Sequence, residues 1–320
     1  MLHCGLTGQE APGILLSVAH YYALAMPLTD YRSVFRPGLF AGRVVLVTGG
    51  GSGIGRCTAH ELTALGAAVA LAGRKADRLE TVAAELHDKD TQVTQHPLDI
   101  RDEEAVQRVV GEVLRAHGRL DAVVNNAGGQ FTAAAESLSL NGWEAVVRTN
   151  LSGGFLVARE AYRQFLHAHG GAIVNVIADM WNGMPGMVHS GAARAGMLNL
   201  TESLAAEWAR SGVRVNAVAP GWIASSGLDR YPPETIAQMR RLHRVVPLRR
   251  FGTEAEVSAA IVFLLSPAAA FITGSCIRVD GGVPNARHTW PAQPMEHDSD
   301  ATRPFDAFPL ASRPRVLDES

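Results

Sequence analysis

From residue 43 onward, short apolar runs alternate with longer stretches whose apolar residues recur every three to four positions. The runs fall at residues 44–48, 67–72, 92–97, 120–125, 171–177, 213–218 and 275–279. Several are β-branched and apolar throughout, the pattern of strands buried on both faces. Strands alternating with helices predict a seven-stranded parallel sheet covered on both sides, a single doubly wound α/β domain. Ligands of such sheets bind beyond the carboxyl ends of the strands, where strand order reverses.

The first joint of that pattern reads Thr48-Gly49-Gly50-Gly51-Ser52-Gly53-Ile54-Gly55. An apolar strand precedes it, and a helix bearing Cys57, Leu62 and Leu65 at helical intervals follows. Glycines here permit positive φ and bring backbone N–H groups close to a pyrophosphate, with the helix N-terminus adding partial positive charge. Gly49, Gly53, Ile54 and Gly55 are therefore candidate dinucleotide-binding residues, and Ser52 can add a hydroxyl. The next strand ends in Gly73-Arg74-Lys75 rather than in a carboxylate. Cations at this place accommodate a 2′-phosphate, which favours NADP(H) and leaves NAD(H) as the alternative.

Later strand ends extend the candidate site. Asp99, followed by Ile100, can accept from an adenine amino group or cap the helix that begins near Asp102. Asn126, Ala127 and Gly128 offer small residues for a ribose to lie against, while Asn125 can stitch neighbouring strands. After the sixth strand, Pro220, Gly221, the Ile223 backbone and the Ser225 hydroxyl can grip a carboxamide.

Composition narrows the class. The 320-residue chain suits one large α/β domain or two small ones. A formal net charge of −2 gives no electrostatic case for nucleic acid. Cys4, Cys57 and Cys276 are too scattered for a disulfide framework or a zinc site and fit a reducing, cytoplasmic setting. Cys57 reads as core packing. The apolar run at residues 13–28 has no Lys or Arg before it and is short for a span, so neither secretion nor a membrane is expected. Residues 1–38 read as an extension, with Met26 a candidate working start, and residues 284–320 as a tail draped over the surface.

Over residues 40–282 the chain resembles the short-chain dehydrogenases/reductases, through the glycine joint, Asp99, Asn125-Asn126-Ala127-Gly128, Asn150, Arg194-Ala195-Gly196, Pro220-Gly221 and Val279-Asp280-Gly281-Gly282. The resemblance implies one Rossmann-type domain over residues 39–283, hydride transfer with NAD(P), a small-molecule substrate and a homo-oligomer, tetramer or dimer. Its usual chemistry needs a Ser, a Tyr, and a Lys four positions beyond the Tyr. Here Ser190 falls at the Tyr position and Arg194 at the Lys position, while Asn175-Val176-Ile177-Ala178-Asp179 lacks the strand-end Ser. Asn150 alone is retained.

An aliphatic hydroxyl is far less acidic than a phenol, so Ser190 cannot protonate an alkoxide near neutral pH. Reducing a C=C bond conjugated to a thioester asks instead for donors to an enolate oxygen, which Ser190, Asn150 and backbone N–H groups can supply. The chain is similar to the trans-2-enoyl-CoA and 2,4-dienoyl-CoA reductases, most of all the peroxisomal enoyl-CoA type. That similarity runs through Gly128-Gly129-Gln130-Phe131, residues 189–196 and Asn199-Leu200-Thr201. The type's proton-donating Tyr falls at Leu198, which leaves His189, Asp179 or a water as the acid. Arg194 keeps a donor for ribose hydroxyls. Residues 180–187, rich in Met and carrying Trp181, line an acyl or terpenoid pocket or simply fill core. Arg240, Arg241, Arg244, Arg249 and Arg250 can meet the phosphates of coenzyme A or be solvated.

Two enzyme readings follow. One is an NADPH-dependent reductase of trans-2-enoyl-CoA thioesters. The other is a terpenoid dehydrogenase of the citronellol/citronellal type, which the chain resembles through Ala178-Asp179-Met180-Trp181 and His189-Ser190; there Asp179 and His189 would form a proton relay. A non-catalytic dinucleotide-binding subunit is the third.

Overall fold

A computed structural model describes residues 35–86, 92–225, 227–285, 299–305 and 314–317. The expectations for residues 1–34, including the Met26 start, lie outside the described residues. Seven strands, β1 (Val44–Thr48), β2 (Ala68–Gly73), β3 (Val93–Pro97), β4 (Ala122–Asn125), β5 (Gly171–Val176), β6 (Val213–Pro220) and β7 (Cys276–Val279), form one sheet. Their order is β3-β2-β1-β4-β5-β6-β7, and every pairing is parallel. The expected doubly wound sheet is present, with strand ends moved by one or two residues. β6 runs on to Pro220 because that residue pairs with Val279.

The main helices are α1 (Gly53–Ala64), α2 (Ala76–Glu85), α3 (Glu103–His117), α4 (Leu140–Val147), α5 (Gly153–Ala161), α6 (Val188–Trp208), α7 (Pro233–Met239) and α8 (Glu254–Leu265). Alternate residues of β1 point to opposite faces. Val45 and Val47 pack with Leu62 of α1 and Val257 and Ile261 of α8. Val44 and Leu46 pack with Val106 and Val110 of α3 and Val157 of α5. Every side chain of β1 is buried, so the strand is fixed from both sides and its glycine turn leaves the sheet in a defined direction.

The chain runs outward from β1 to β3 and then returns to lay β4 beside β1, opening a crevice at that reversal. Asp102 begins α3, its Oδ1 accepting the Ala105 N–H at 3.1 Å. The capping role offered to Asp99 therefore belongs to Asp102. Between α4 and α5 the helix continues through a π-turn, Arg148–Ser152, which holds Asn150 buried.

The tail lies against the domain surface where it is described. Phe305 packs on Cys57 and Ala255, and Val316 on Met239 and Phe251. Among the described residues no helix is long and apolar enough to cross a membrane.

Candidate active site

The glycine turn is bolted to the end of β4. Thr48 Oγ1 accepts the N–H groups of Asn126 and Ala127 at 3.1 and 3.0 Å, and Asn126 Nδ2 donates to Thr48 O at 3.0 Å. Gly49 and Gly53 have φ of +67° and +58°. A Cβ on Gly55 would lie 2.4 Å from Gly49 O and 2.5 Å from Asn126 Nδ2, so no larger residue fits. Ile54, partly buried, packs against the core beneath the turn.

A cavity of about 350 Å³ opens beside this turn, over Gly49, Ile100, Asn126 and Gly128. Arg74, Lys75, Arg78 and Arg101 give its wall four cations against the single carboxylate of Asp99. Ser52 also lines it and makes no capping bond to its own helix. Asp99 is gripped by Arg101, whose Nε donates at 2.9 Å, and this bond holds the carboxyl well down, at about 2. The sequence reading had not singled out Arg101. Glycines that admit no side chain, a pocket of this size and a cationic wall fit the phosphates of a dinucleotide.

Pro220, Gly221, Ile223 and Ser225 do not line that cavity. Pro220 ends β6 and the other three follow it, where the Gly221 N–H donates to Val279 O at 2.9 Å and Ile223 bridges to Gly252.

Between these two regions stand the candidate reacting groups. Asn150 clamps Gly129: its Nδ2 donates to Gly129 O and its Oδ1 accepts the Gly129 N–H, each at 2.9 Å. Arg194 Nη1 donates to Val176 O at 2.8 Å, and its guanidinium occupies the space a Cβ on Gly128 would need. Burial lowers the Arg194 pKa to about 10, which keeps it charged at neutral pH, and its buried Nε has no hydrogen bond among the described residues. Ser190 is fully buried and its Oγ donates to Gln130 Oε1 at 2.8 Å.

His189 is 0% exposed, meets the Phe131 ring edge-on at 4.6 Å, and hydrogen-bonds nothing described through either ring nitrogen. Asp179 Oδ1 is likewise buried without a hydrogen bond. Burial first, and Asp280 second, push the Asp179 carboxyl above its ordinary range. The proposed link from Asp179 to His189 is thus not formed; the carboxyl faces the charges of β7 instead.

A family model described as Enoyl-(Acyl carrier protein) reductase matches residues 49–284. A Bacillus subtilis (strain 168) protein described as "Probable 2,4-dienoyl-CoA reductase [(2E)-enoyl-CoA-producing]" is 40% identical over 243 residues, 75% of this chain and 96% of that one. The peroxisomal 2,4-dienoyl-CoA reductase [(3E)-enoyl-CoA-producing] of Danio rerio is 35% identical over 80% of this chain and 86% of its own. Among solved structures, a citronellol catabolism dehydrogenase (AtuB) of Pseudomonas aeruginosa PAO1 is 56% identical. It superposes with a TM-score of 0.72 over 79% of this chain and 100% of that one. The chain belongs to the short-chain dehydrogenase/reductase family.

It is an oxidoreductase of a family that typically uses NAD(P)H, and its departures from that family's usual residues can now be placed. Tyr162 bonds Ser211 at 2.8 Å and stacks on Trp208, at the far end of α6 from Ser190. Tyr231 packs in the cluster of Ala224, Met239 and Phe251. Neither described tyrosine stands at the Ser190 centre. Leu198 joins Met180, Trp181 and Met197 in an apolar cluster and Met184 closes on Gly191, while Asn182, Gly183, Pro185 and Gly186 between them are exposed. Three of the arginines offered to coenzyme A are otherwise engaged: Arg240 donates to Arg315 O, Arg249 to Arg244 O, and Arg250 pairs with Glu256 and reaches Thr302 O. Arg241 and Arg244 remain exposed.

Gln130, like Arg101, is a site residue that sequence reasoning missed. It was noted only as part of a similar motif, and its contact with Ser190 spans 60 residues. A polar residue following two glycines at a strand end was the available signal.

Proposed function

We propose that this short-chain dehydrogenase/reductase uses NADPH to reduce the C=C bond of trans-2-enoyl-CoA thioesters. The observation that carries the reading is the Ser190–Gln130 hydrogen bond of 2.8 Å standing where the family's phenol is absent. Gly49, Ser52 and the backbone of residues 53–55 would hold the dinucleotide phosphates, Arg74 and Lys75 the 2′-phosphate. Asp99 would take the adenine, Arg194 the ribose, and Ile223 and Ser225 the carboxamide. When bound, that group supplies a hydride.

The protein's own groups handle the charge that develops on the substrate. Ser190 occupies Gln130 Oε1, which leaves the Gln130 amide N–H donors for a thioester oxygen. A preorganised amide donor of this kind stabilises an enolate without reorganising. Asn150 holds the Gly129 backbone and so positions Gln130. Arg194 adds a part-buried positive charge beside them. None of these groups is an acid suited to an alkoxide.

The likeness to the citronellol catabolism dehydrogenase favours a second reading, oxidation of a terpenoid alcohol or aldehyde. That reading needs a proton relay through His189, whose ring nitrogens have no hydrogen bond to Asp179. A homo-oligomer, tetramer or dimer, working in the cytoplasm accompanies either reading.

Purified protein is to be mixed with NADPH and crotonyl-CoA or 2,4-hexadienoyl-CoA, and in parallel with citronellol and NADP or NAD. Consumption of NADPH with release of the C=C-reduced thioester is expected. Silence on thioesters of every chain length, with oxidation of citronellol, moves the assignment to the second reading.

A further inference from the structure

The chain between β6 and α8 leaves the sheet as a lobe with a closed base. The Gly252 N–H donates to Trp222 O and the Ala224 N–H to Gly252 O, each at 2.9 Å. Beyond that base stand the turn Leu228–Arg230, α7 and the turn Arg240–Arg244. The returning leg rests on the residues after β7. The Leu248 N–H donates to Gly281 O at 3.3 Å, and Val246 occupies the space a Cβ on Gly281 would need. The lobe therefore stands at the carboxyl ends of β6 and β7, the side of such a sheet on which ligands bind.

Its small core is finished by a residue from the end of the chain. Ala224, Met239 and Phe251 are buried together with Val316, and Leu228 and Leu242 pack against them. Arg315 is held at both of its backbone groups. Its N–H donates to Asp229 Oδ1 at 3.0 Å, and Arg240 Nε and Nη2 donate to its carbonyl oxygen at 3.2 and 3.1 Å. The Arg315 guanidinium also meets Asp229, with Nε 3.4 Å from Oδ1. That ion pair is part-exposed and screened by water and salt, so the burial of Val316 carries the attachment. A second stretch ties the base: Thr253 Oγ1 donates to Phe305 O at 2.5 Å and Arg250 Nε to Thr302 O at 3.2 Å. Both stretches lie beyond residue 284, where the family match ends.

We propose that residues 314–317 are a strap that orders the lobe before substrate arrives, which makes Val316 a positioning residue for substrate binding. A lobe already held by its own chain leaves less ordering for the substrate to impose, so affinity improves without a new contact to it. The base closes through Ile223 and Gly252 without these residues. Loss of the strap therefore loosens the lobe and spares the dinucleotide cavity. The inference goes beyond the thioester reading, because an ordered lobe serves a thioester and a terpenoid alike.

The test compares full-length variants by hydrogen exchange and by kinetics. Val316→Asp sets a charge in the apolar cluster and should expel the strap; Asp229→Ala removes the acceptor of the Arg315 N–H from the lobe side. In Val316→Asp, amide exchange over residues 227–245 should quicken at least about tenfold, with β1, β4 and α1 unchanged. For whichever substrate wild type turns over, crotonyl-CoA or citronellol, KM should rise about fivefold or more, with kcat within about threefold and NADPH affinity within about twofold. Should Val316→Asp fail to fold, Val316→Ala and Asp229→Ala should show the same pattern at smaller size. Unchanged exchange over residues 227–245 in every variant overturns the strap. Faster exchange with KM unmoved, or NADPH affinity falling as far as KM rises, overturns the positioning role. Turnover of neither substrate defeats the functional reading and with it the positioning role, while exchange still decides the strap.

Discussion

The two halves of the crevice are built on opposite terms. On the β1–β4 side, Thr48, Asn126 and Ala127 satisfy one another at 3.0–3.1 Å, and Gly49, Gly50 and Gly55 stand where a Cβ would clash. On the β5–β7 side, His189, Arg194 Nε, Asp179 Oδ1 and Asp280 Oδ2 are buried without hydrogen bonds among the described residues. A buried donor or acceptor left unpaired costs about 1–3 kcal/mol. The first half is a finished cradle. The second leaves buried polar atoms unpaired.

The comparison breaks most visibly at Gly55. Gly55→Ala forces a Cβ against Gly49 O and should abolish NADPH binding while lowering stability by about 1–3 kcal/mol; calorimetric titration and thermal unfolding check both. Gln130→Leu acts on the other half. It should reduce kcat for thioester reduction by about 100-fold with NADPH affinity and melting temperature nearly unchanged, the mark of a donor aimed at developing charge. Arg74→Ala should weaken NADPH by about tenfold and leave NADH within about twofold, measured by fluorescence titration, because one charge-assisted phosphate contact is lost. The smallest effect belongs to His189→Phe. With no bond to lose, this variant should keep turnover within about threefold and hold or raise the melting temperature. A collapse of turnover there would restore His189 as the acid.

The same contrast explains what could be read before the structure. The seven parallel strands, the glycine turn and the cationic strand end were legible because each is a local pattern. Contacts between distant segments were not. Nothing in residues 128–131 announces that Gln130 meets Ser190, and nothing at Asp179 announces Asp280, which directly follows β7. Asp99 looked free for a cap because two carboxylates stand near the start of α3; Asp102 takes the cap and Arg101 takes Asp99. The relay from Asp179 to His189 was plausible from chemistry alone, and the strand order that turns Asp179 toward β7 is a property of the sheet.

The most direct measurement follows the hydride. NADPH carrying deuterium at the transferred position is incubated with crotonyl-CoA and with citronellal, and the products are read by mass spectrometry and NMR. The account predicts deuterium on the β-carbon of butyryl-CoA. Deuterium on the carbinol carbon of citronellol, with the thioester left unreduced, would contradict it.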